Sequence, residues 1–192
     1  MAATPSTMLE LGTTAPSFTL PNVNNDMASL SEVAGEKGTI VMFICNHCPF
    51  VIHVIEEIVS IASEFESQGI SAVAISSNDI VNYPQDAPEH MKTFAERYNL
   101  SFPYLFDESQ SVAKEYQAAC TPDFYLFDSE MKLVYRGQLD NSRPGNALPV
   151  TGEDLRNALR TLLTDGSIVD VQKPSVGCNI KWIAGNEPHY FG

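Results

Sequence analysis

The chain has 192 residues, 44% of them hydrophobic and 18% charged, which is ordinary for one globular domain able to bury a core without disulfide staples. Its 24 acidic residues against 11 basic ones give a net charge of −13, and such a surface argues against nucleic acid or an anionic membrane as partner. The first residues carry neither a basic cluster nor the apolar stretch of a secretory signal, and no apolar run is long enough to span a bilayer. Cytoplasm is therefore the expected compartment, and four cysteines, only two of them close together, do not form the framework of a secreted protein.

In chain order, residues 1–8 read as a loose leader and residues 9–164 as the core. Ser17 to Leu20, between Pro16 and Pro21, is a short strand, and Ala28 to Val33 a second short strand running into a helical turn. Thr39 to Ile44 is an apolar, β-branched run expected to be buried on both faces. Apolar residues then recur with helical spacing at Val51, Val54, Ile58, Ile61 and Phe65, and Gly69 closes that helix. Ile70 to Ser76 returns as a strand, so a crossover to a parallel neighbour is expected. An acidic, proline-containing loop, Ser77 to Pro88, reads as a solvated insertion that could also rim a functional site; it leads into a helix from roughly Pro88 to Tyr98. Phe102 to Phe106 is a short strand and Glu108 to Ala118 a short helix. Cys120 to Asp128 is a strand entered through Pro122, Met131 to Leu139 its hairpin partner, and Glu153 to Thr164 the last helix. Residues 165–192 show little periodicity and read as a tail packed on a single α/β domain.

The chemistry concentrates at Cys45-Asn-His-Cys-Pro49, where the buried strand gives way to the long helix. Cys45 is expected at or near the helix N-terminus, whose partial positive charge favours a thiolate, the nucleophile of disulfide exchange. Cys48, on the same first turn, would close a small ring with it. His47 between them could hydrogen-bond to the Cys45 sulfur or place positive charge beside it, which would favour the reduced form and make the disulfide a better oxidant. A Cys-x-x-Cys can also be half of a metal site; His53, on the following helix, would then have to join Cys45 and Cys48.

Several stretches together carry a family resemblance: Gly12-Thr-Thr-Ala-Pro-Ser-Phe-Thr-Leu20, the Cys45-Asn-His-Cys-Pro49 centre, Ser77-Asn-Asp79, Cys120-Thr-Pro-Asp-Phe-Tyr-Leu-Phe-Asp128, Arg136-Gly-Gln-Leu-Asp140 and Lys173-Pro-Ser-Val-Gly-Cys-Asn-Ile-Lys-Trp182. From about residue 9 to 183 the chain resembles the thioredoxin superfamily and, more narrowly, peroxiredoxin-like (redoxin, AhpC/TSA-type) proteins with a Cys-x-x-Cys centre. The resemblance implies a thioredoxin-like fold, a mixed central sheet flanked by helices with an N-terminal β extension and a C-terminal tail. It implies that Pro122 is cis and faces the dithiol, and that the backbone of Thr121 pairs with an extended substrate segment. The activity implied is thiol–disulfide exchange without a cofactor, on protein or small-molecule disulfides and with a thiol reductant.

A peroxidase reading places the peroxidatic cysteine of Pro-x-x-x-Thr/Ser-x-x-Cys on Cys48, but Val41 and Cys45 then replace the proline and the hydroxyl, and no arginine lies near Cys120-Thr-Pro122. Those changes leave a thioredoxin-type pair, with Cys45 as attacking thiol and Cys48 as resolving one. A metal-binding module and a redox-silent interaction module using the acidic Asp79 to Glu89 loop are the readings of other classes. Cys120 and Cys178 are candidate further redox thiols, each weighed against the commoner roles of a small buried residue or an incidental cysteine. Trp182 is expected to pin the tail to the core, and Glu56 and Glu57 to lie on the open face of their helix.

Overall fold

A computed structural model describes residues 3–191. Along the chain run β1 (Ala3–Pro5), β2 (Thr19–Pro21), β3 (Met27–Ser29), α1 (Leu30–Val33), β4 (Gly38–Phe43), α2 (Pro49–Glu66) and β5 (Ile70–Ser76). A single 3-10 turn (Pro84–Asp86) precedes α3 (Pro88–Tyr98), β6 (Tyr104–Phe106), α4 (Ser111–Glu115), β7 (Cys120–Thr121), β8 (Asp123–Asp128), β9 (Leu133–Gly137), α5 (Glu153–Asp165) and β10 (Val176–Asn179). Among the described residues no helix is long and apolar enough to cross a membrane.

The central sheet has strand order β6-β5-β4-β8-β9. β4 is parallel to β5 and antiparallel to β8, so the β4-α2-β5 crossover and the β8-β9-α5 hairpin-and-helix share one sheet with β4 in the middle. This is the expected thioredoxin-like arrangement. Because successive strand residues face opposite sides, Ile40, Met42 and Ile44 join one apolar cluster with α2, α3 and α5. Val41 and Phe43 join a second, with Tyr116, Tyr125 and Trp182. Helices or the chain's outer segments cover both faces, so every residue of β4 is buried. Each large apolar side chain removed from water there stabilises the fold by about 1.5–3 kcal/mol. Trp182 packs against the second cluster, as expected, with its ring edge-on to Tyr190 at 6.4 Å.

The long helix α2 is rich in β-branched residues, poor helix formers in isolation. Burial decides instead: Val51, Val54, Ile55, Ile58, Ile61, Ala62 and Phe65 form one inward stripe. Pro49 occupies the first helical position, where a missing N–H costs nothing, and the helix stops at Ser67, two residues before Gly69 turns the chain back with φ of +90°.

Three expectations are corrected by the outer segments. Residues 3–8 are no loose leader: β1 pairs antiparallel with β10, and Ser6 is buried with its N–H on the Ser175 carbonyl at 2.8 Å; residues 1 and 2 lie outside the described residues. The tail contains a strand, β10, too short and too glycine-bearing to show a period. The predicted strand Cys120 to Asp128 divides at Pro122, which has no N–H to continue a ladder. Its first two residues leave the central sheet and join β1 and β10 in a separate three-stranded sheet, β1-β10-β7.

Candidate active site

β4 ends at Phe43, and the chain needs the next residues to turn from the sheet into α2. Cys45 therefore lies just beyond the strand end, and Cys48 is the N-cap of α2 with extended backbone (φ −70°, ψ 120°). This corrects the expectation that both cysteines sit on the first helical turn: the cap position, where free helical N–H groups converge, belongs to Cys48. Both residues are buried, Cys45 1% and Cys48 0% exposed. The Cys48 thiol is held well below its ordinary range by hydrogen bonds from Cys178 and then Cys45, aided by the Thr121 hydroxyl and the Val51 N–H, against the opposing effect of burial. Cys45 is pushed well above that range, first by giving its proton to the bond with Cys48, then by burial and the nearby Asp86 charge. The two sulfurs titrate as a pair, with Cys48 the more acidic member.

The polar wall beside Cys45 comes from the loop after β5. Asp86 is fully buried and accepts three hydrogen bonds: from the Asn46 N–H at 2.9 Å, from Asn78 Nδ2 at 2.8 Å and from His47 Nδ1 at 2.6 Å. His47 is stacked on Tyr83, ring centroids 5.8 Å apart and planes within 9°, and Lys181 of the tail lies over the far face of this wall, 5.6 Å from the Tyr83 centroid. Asn46 is fixed in turn by the Tyr104 hydroxyl at 3.0 Å and the Gln85 carbonyl at 3.0 Å. Of the two readings of this loop, solvated insertion or rim of the site, the structure shows the second: it is a wall of the site. Its acidic composition hid the fact that Asn78, Asp79 and Asp86 are all buried and hydrogen-bonded. His47 Nδ1 is 4.0 Å from the Cys45 sulfur, but the same nitrogen donates to Asp86. The imidazole thus spends its Nδ1 proton on the carboxylate. The donor atoms of Cys45, His47 and Asp86 all lie within 4.8 Å of one another, so these three are the residues that could hold a cation at this site.

From the other side Thr121 and Pro122 close over the sulfurs, joined by a cis peptide bond. The Thr121 hydroxyl is 3.5 Å from the Cys45 sulfur, and the Thr121 carbonyl accepts from Cys48 at 3.1 Å when that thiol is protonated. The edge of Thr121, expected to receive an extended client, is already paired: Cys178 of β10 lies opposite Thr121, and Asn179 opposite Cys120. That expectation is corrected because the tail folds back as a strand and occupies the position. The hollow beside Pro122, lined by Phe50, His53, Pro122 and Arg143, has a volume of about 20 Å³, room for about one water molecule.

The remaining candidates separate. Cys178 is 3% exposed, in the same apolar cluster as Cys45 and Cys48, and contact with Cys48 together with burial pushes its thiol up. Cys120 is fully buried; its thiol points at the Pro122 carbonyl at 3.7 Å, and burial pushes it well up. His53 does not join the cysteines; its Nε2 is bound to the Ser142 hydroxyl at 2.8 Å. Arg136 binds the Gln172 side chain at 2.8 Å, and Arg143, brought toward Pro122 by the 141–152 loop, is satisfied by the Asp140 and Ser142 carbonyls and the Gln138 side chain. Sequence reasoning missed Asp86, Asn78 and Asp123. The signal for Asp86 was its place one residue before the Ala87-Pro88 helix start, which pins the loop back onto the sheet end.

The chain is similar to known proteins at three levels. A crystal structure of an uncharacterised conserved protein from Geobacillus kaustophilus is 54% identical, with a TM-score of 0.93, covering 95% of this chain and 97% of that one. A hypothetical protein from Sinorhizobium meliloti 1021 is 46% identical at a TM-score of 0.93, covering 95% of this chain and all of the other. The thiol-disulfide oxidoreductase ResA of Geobacillus kaustophilus is 28% identical over 141 residues, 71% of this chain and 75% of that protein. The AhpC/TSA family matches residues 11–136, the stretch that holds β2 through β8 and most of β9, and with it both cysteines of the Cys-x-x-Cys and the Thr121–Pro122 lid; the chain belongs to the AhpC/TSA family, on a thioredoxin-like fold.

Proposed function

We propose that this protein is a thiol–disulfide oxidoreductase whose working pair is Cys45 and Cys48. The observation that carries the reading is the pair of buried cysteines at the start of α2, both sulfurs in contact with Thr121 beside the cis bond to Pro122. The similarity to proteins named thiol-disulfide oxidoreductase supports it. Cys45 attacks a disulfide, and its proton goes to the first substrate thiolate as that leaves. A mixed disulfide with Cys45 forms and the first substrate thiolate leaves. Cys48 then attacks the Cys45 sulfur as the thiolate, and the second substrate thiolate leaves and takes its proton from solvent. One disulfide is reduced to two thiols, and the Cys45–Cys48 disulfide is formed. His47, Asp86 and Thr121 are positioning groups: they hold the polar rim and the lid against the pair.

The substrates fitting this reading are protein or small-molecule disulfides, with a thiol reductant closing the cycle in the cytoplasm. A peroxiredoxin-type reaction at Cys48 is not favoured, because Cys45 stands where the peroxide-binding hydroxyl would be needed. The test is a redox titration against glutathione or dithiothreitol, with thiol trapping and peptide mass spectrometry. One reversible two-electron couple at Cys45 and Cys48 upholds the function. A pair that stays reduced, with metal co-purifying and thiols freed by chelator, replaces it with a metal-binding role.

A further inference from the structure

The tail brings a third sulfur to the pair by a specific route. In β10, Cys178 lies opposite Thr121, and the Thr121 carbonyl is 3.1 Å from the Cys48 sulfur, so one peptide unit is neighbour to both cysteines. The close approach of the strands depends on Gly177: a Cβ there would collide with the Thr121 carbonyl oxygen. β10 also packs on α2, whose cap is Cys48, and Cys178 is 3% exposed within the apolar cluster that contains both cysteines of the pair. Thr121 touches the Cys48 sulfur with its carbonyl and the Cys45 sulfur with its hydroxyl at 3.5 Å, so Cys178, opposite Thr121, stands beside the pair. Thiol–disulfide exchange needs an attacking sulfur and a leaving sulfur on either side of the one attacked.

We infer that Cys178 is a third redox thiol of this centre, which takes the disulfide over from Cys45 by attacking Cys48 within the folded chain. The inference rests on the dithiol reading above. In the step, the Cys178 sulfur bonds to Cys48, the Cys45–Cys48 bond breaks, and Cys45 leaves with the electron pair. The proton released by Cys178 ends on Cys45, so one disulfide replaces another and no outside oxidant or reductant is consumed. The product has β10 covalently fastened to the start of α2, while Cys45 is returned as a thiol beside the His47–Asp86 wall. Contact with Cys48 and burial hold the Cys178 thiol above its ordinary range.

The test oxidises the full-length protein stepwise with glutathione disulfide, quenches with acid, alkylates, and maps disulfides by peptide mass spectrometry. Wild type is expected to hold both Cys45–Cys48 and Cys48–Cys178, in a ratio that does not change with oxidant concentration, because their interconversion is redox-neutral. Cys45→Ser is expected to lose its glutathione adduct and close Cys48–Cys178, and Cys178→Ser to keep only Cys45–Cys48. If wild type holds Cys45–Cys48 alone and Cys45→Ser ends as a stable glutathione adduct on Cys48 with Cys178 free, the third-thiol inference is overturned and the oxidoreductase reading stands. If wild type forms neither disulfide, both fall. Should Cys45→Ser not fold, the wild-type map alone decides.

Discussion

Asp123 offers a quantitative test of how the fold treats a charge next to its lid. The residue follows Pro122, is fully buried, accepts the Tyr125 hydroxyl on Oδ2 at 3.0 Å and has no partner on Oδ1. Burial pushes its carboxyl up to about 7, only partly offset by hydrogen bonds from Ser6 and Tyr125. In the unfolded chain the same group titrates near 4. Between those values the folded protein keeps a proton that the unfolded chain has released, so stability falls as pH rises through that window and levels off above it. The window spans about three pH units at about 1.4 kcal/mol each, or about 4 kcal/mol in all. Asp123→Asn keeps the size and one acceptor but cannot ionise. Urea unfolding of both proteins in reductant, at intervals from pH 4.5 to 8, isolates the residue as the difference between two curves. The variant is expected to gain on wild type by about 3–4 kcal/mol across that range. Parallel curves would mean that the carboxyl is solvated in the folded protein, and the burial argument would be wrong.

Three further outcomes follow from the site. Asp86→Asn leaves one of three donors facing an amide hydrogen, which costs about 2–3 kcal/mol and lowers the melting temperature by about 4–12 °C in calorimetry. It also removes the anion beside Cys45, so alkylation of that thiol is expected to begin at lower pH; an unchanged profile would separate Asp86 from the sulfur. Cys48→Ser is expected to trap Cys45 as a long-lived mixed disulfide with substrate, visible by non-reducing mass spectrometry, and rapid release of that adduct would remove Cys48 from the resolving role. Gly177→Ala drives a methyl into the Thr121 carbonyl, costs about 1–3 kcal/mol or more, and is expected to unseat β10 and speed the alkylation of Cys48 and Cys178. Equal alkylation rates in variant and wild type would show that the strand does not cover the sulfurs.

The sheet and its long helices were legible because their signals are local. An unbroken apolar run from Thr39 to Ile44 and a 3.6-residue stripe from Val51 to Phe65 each need only their own neighbours to be read. The helix read as roughly Pro88 to Tyr98 matches because a proline opens it; Asn99, in a left-handed conformation, ends it. β1 and β10 were not legible: each is three or four residues long and is a strand only because the other end of the chain lies against it. The wall at Asp86 escaped for a similar reason. A carboxylate in an acidic loop resembles a solvated one until Asn46, His47 and Asn78 are known to converge on it. The cysteine pair was visible from spacing, but which sulfur caps the helix depended on how many residues the turn from β4 consumes.

The three-stranded sheet β1-β10-β7 has a consequence for the order of assembly. Its strands come from residues 3–5, 120–121 and 176–179, so it is the element with the longest sequence separations in the molecule. A ribosome that has released everything through α5 has delivered the central sheet and the Cys-x-x-Cys, but not the strand that seals it. The nascent chain therefore carries an uncovered dithiol until residues 176–179 emerge, and β1 and β10 act together as the clasp that finishes the site.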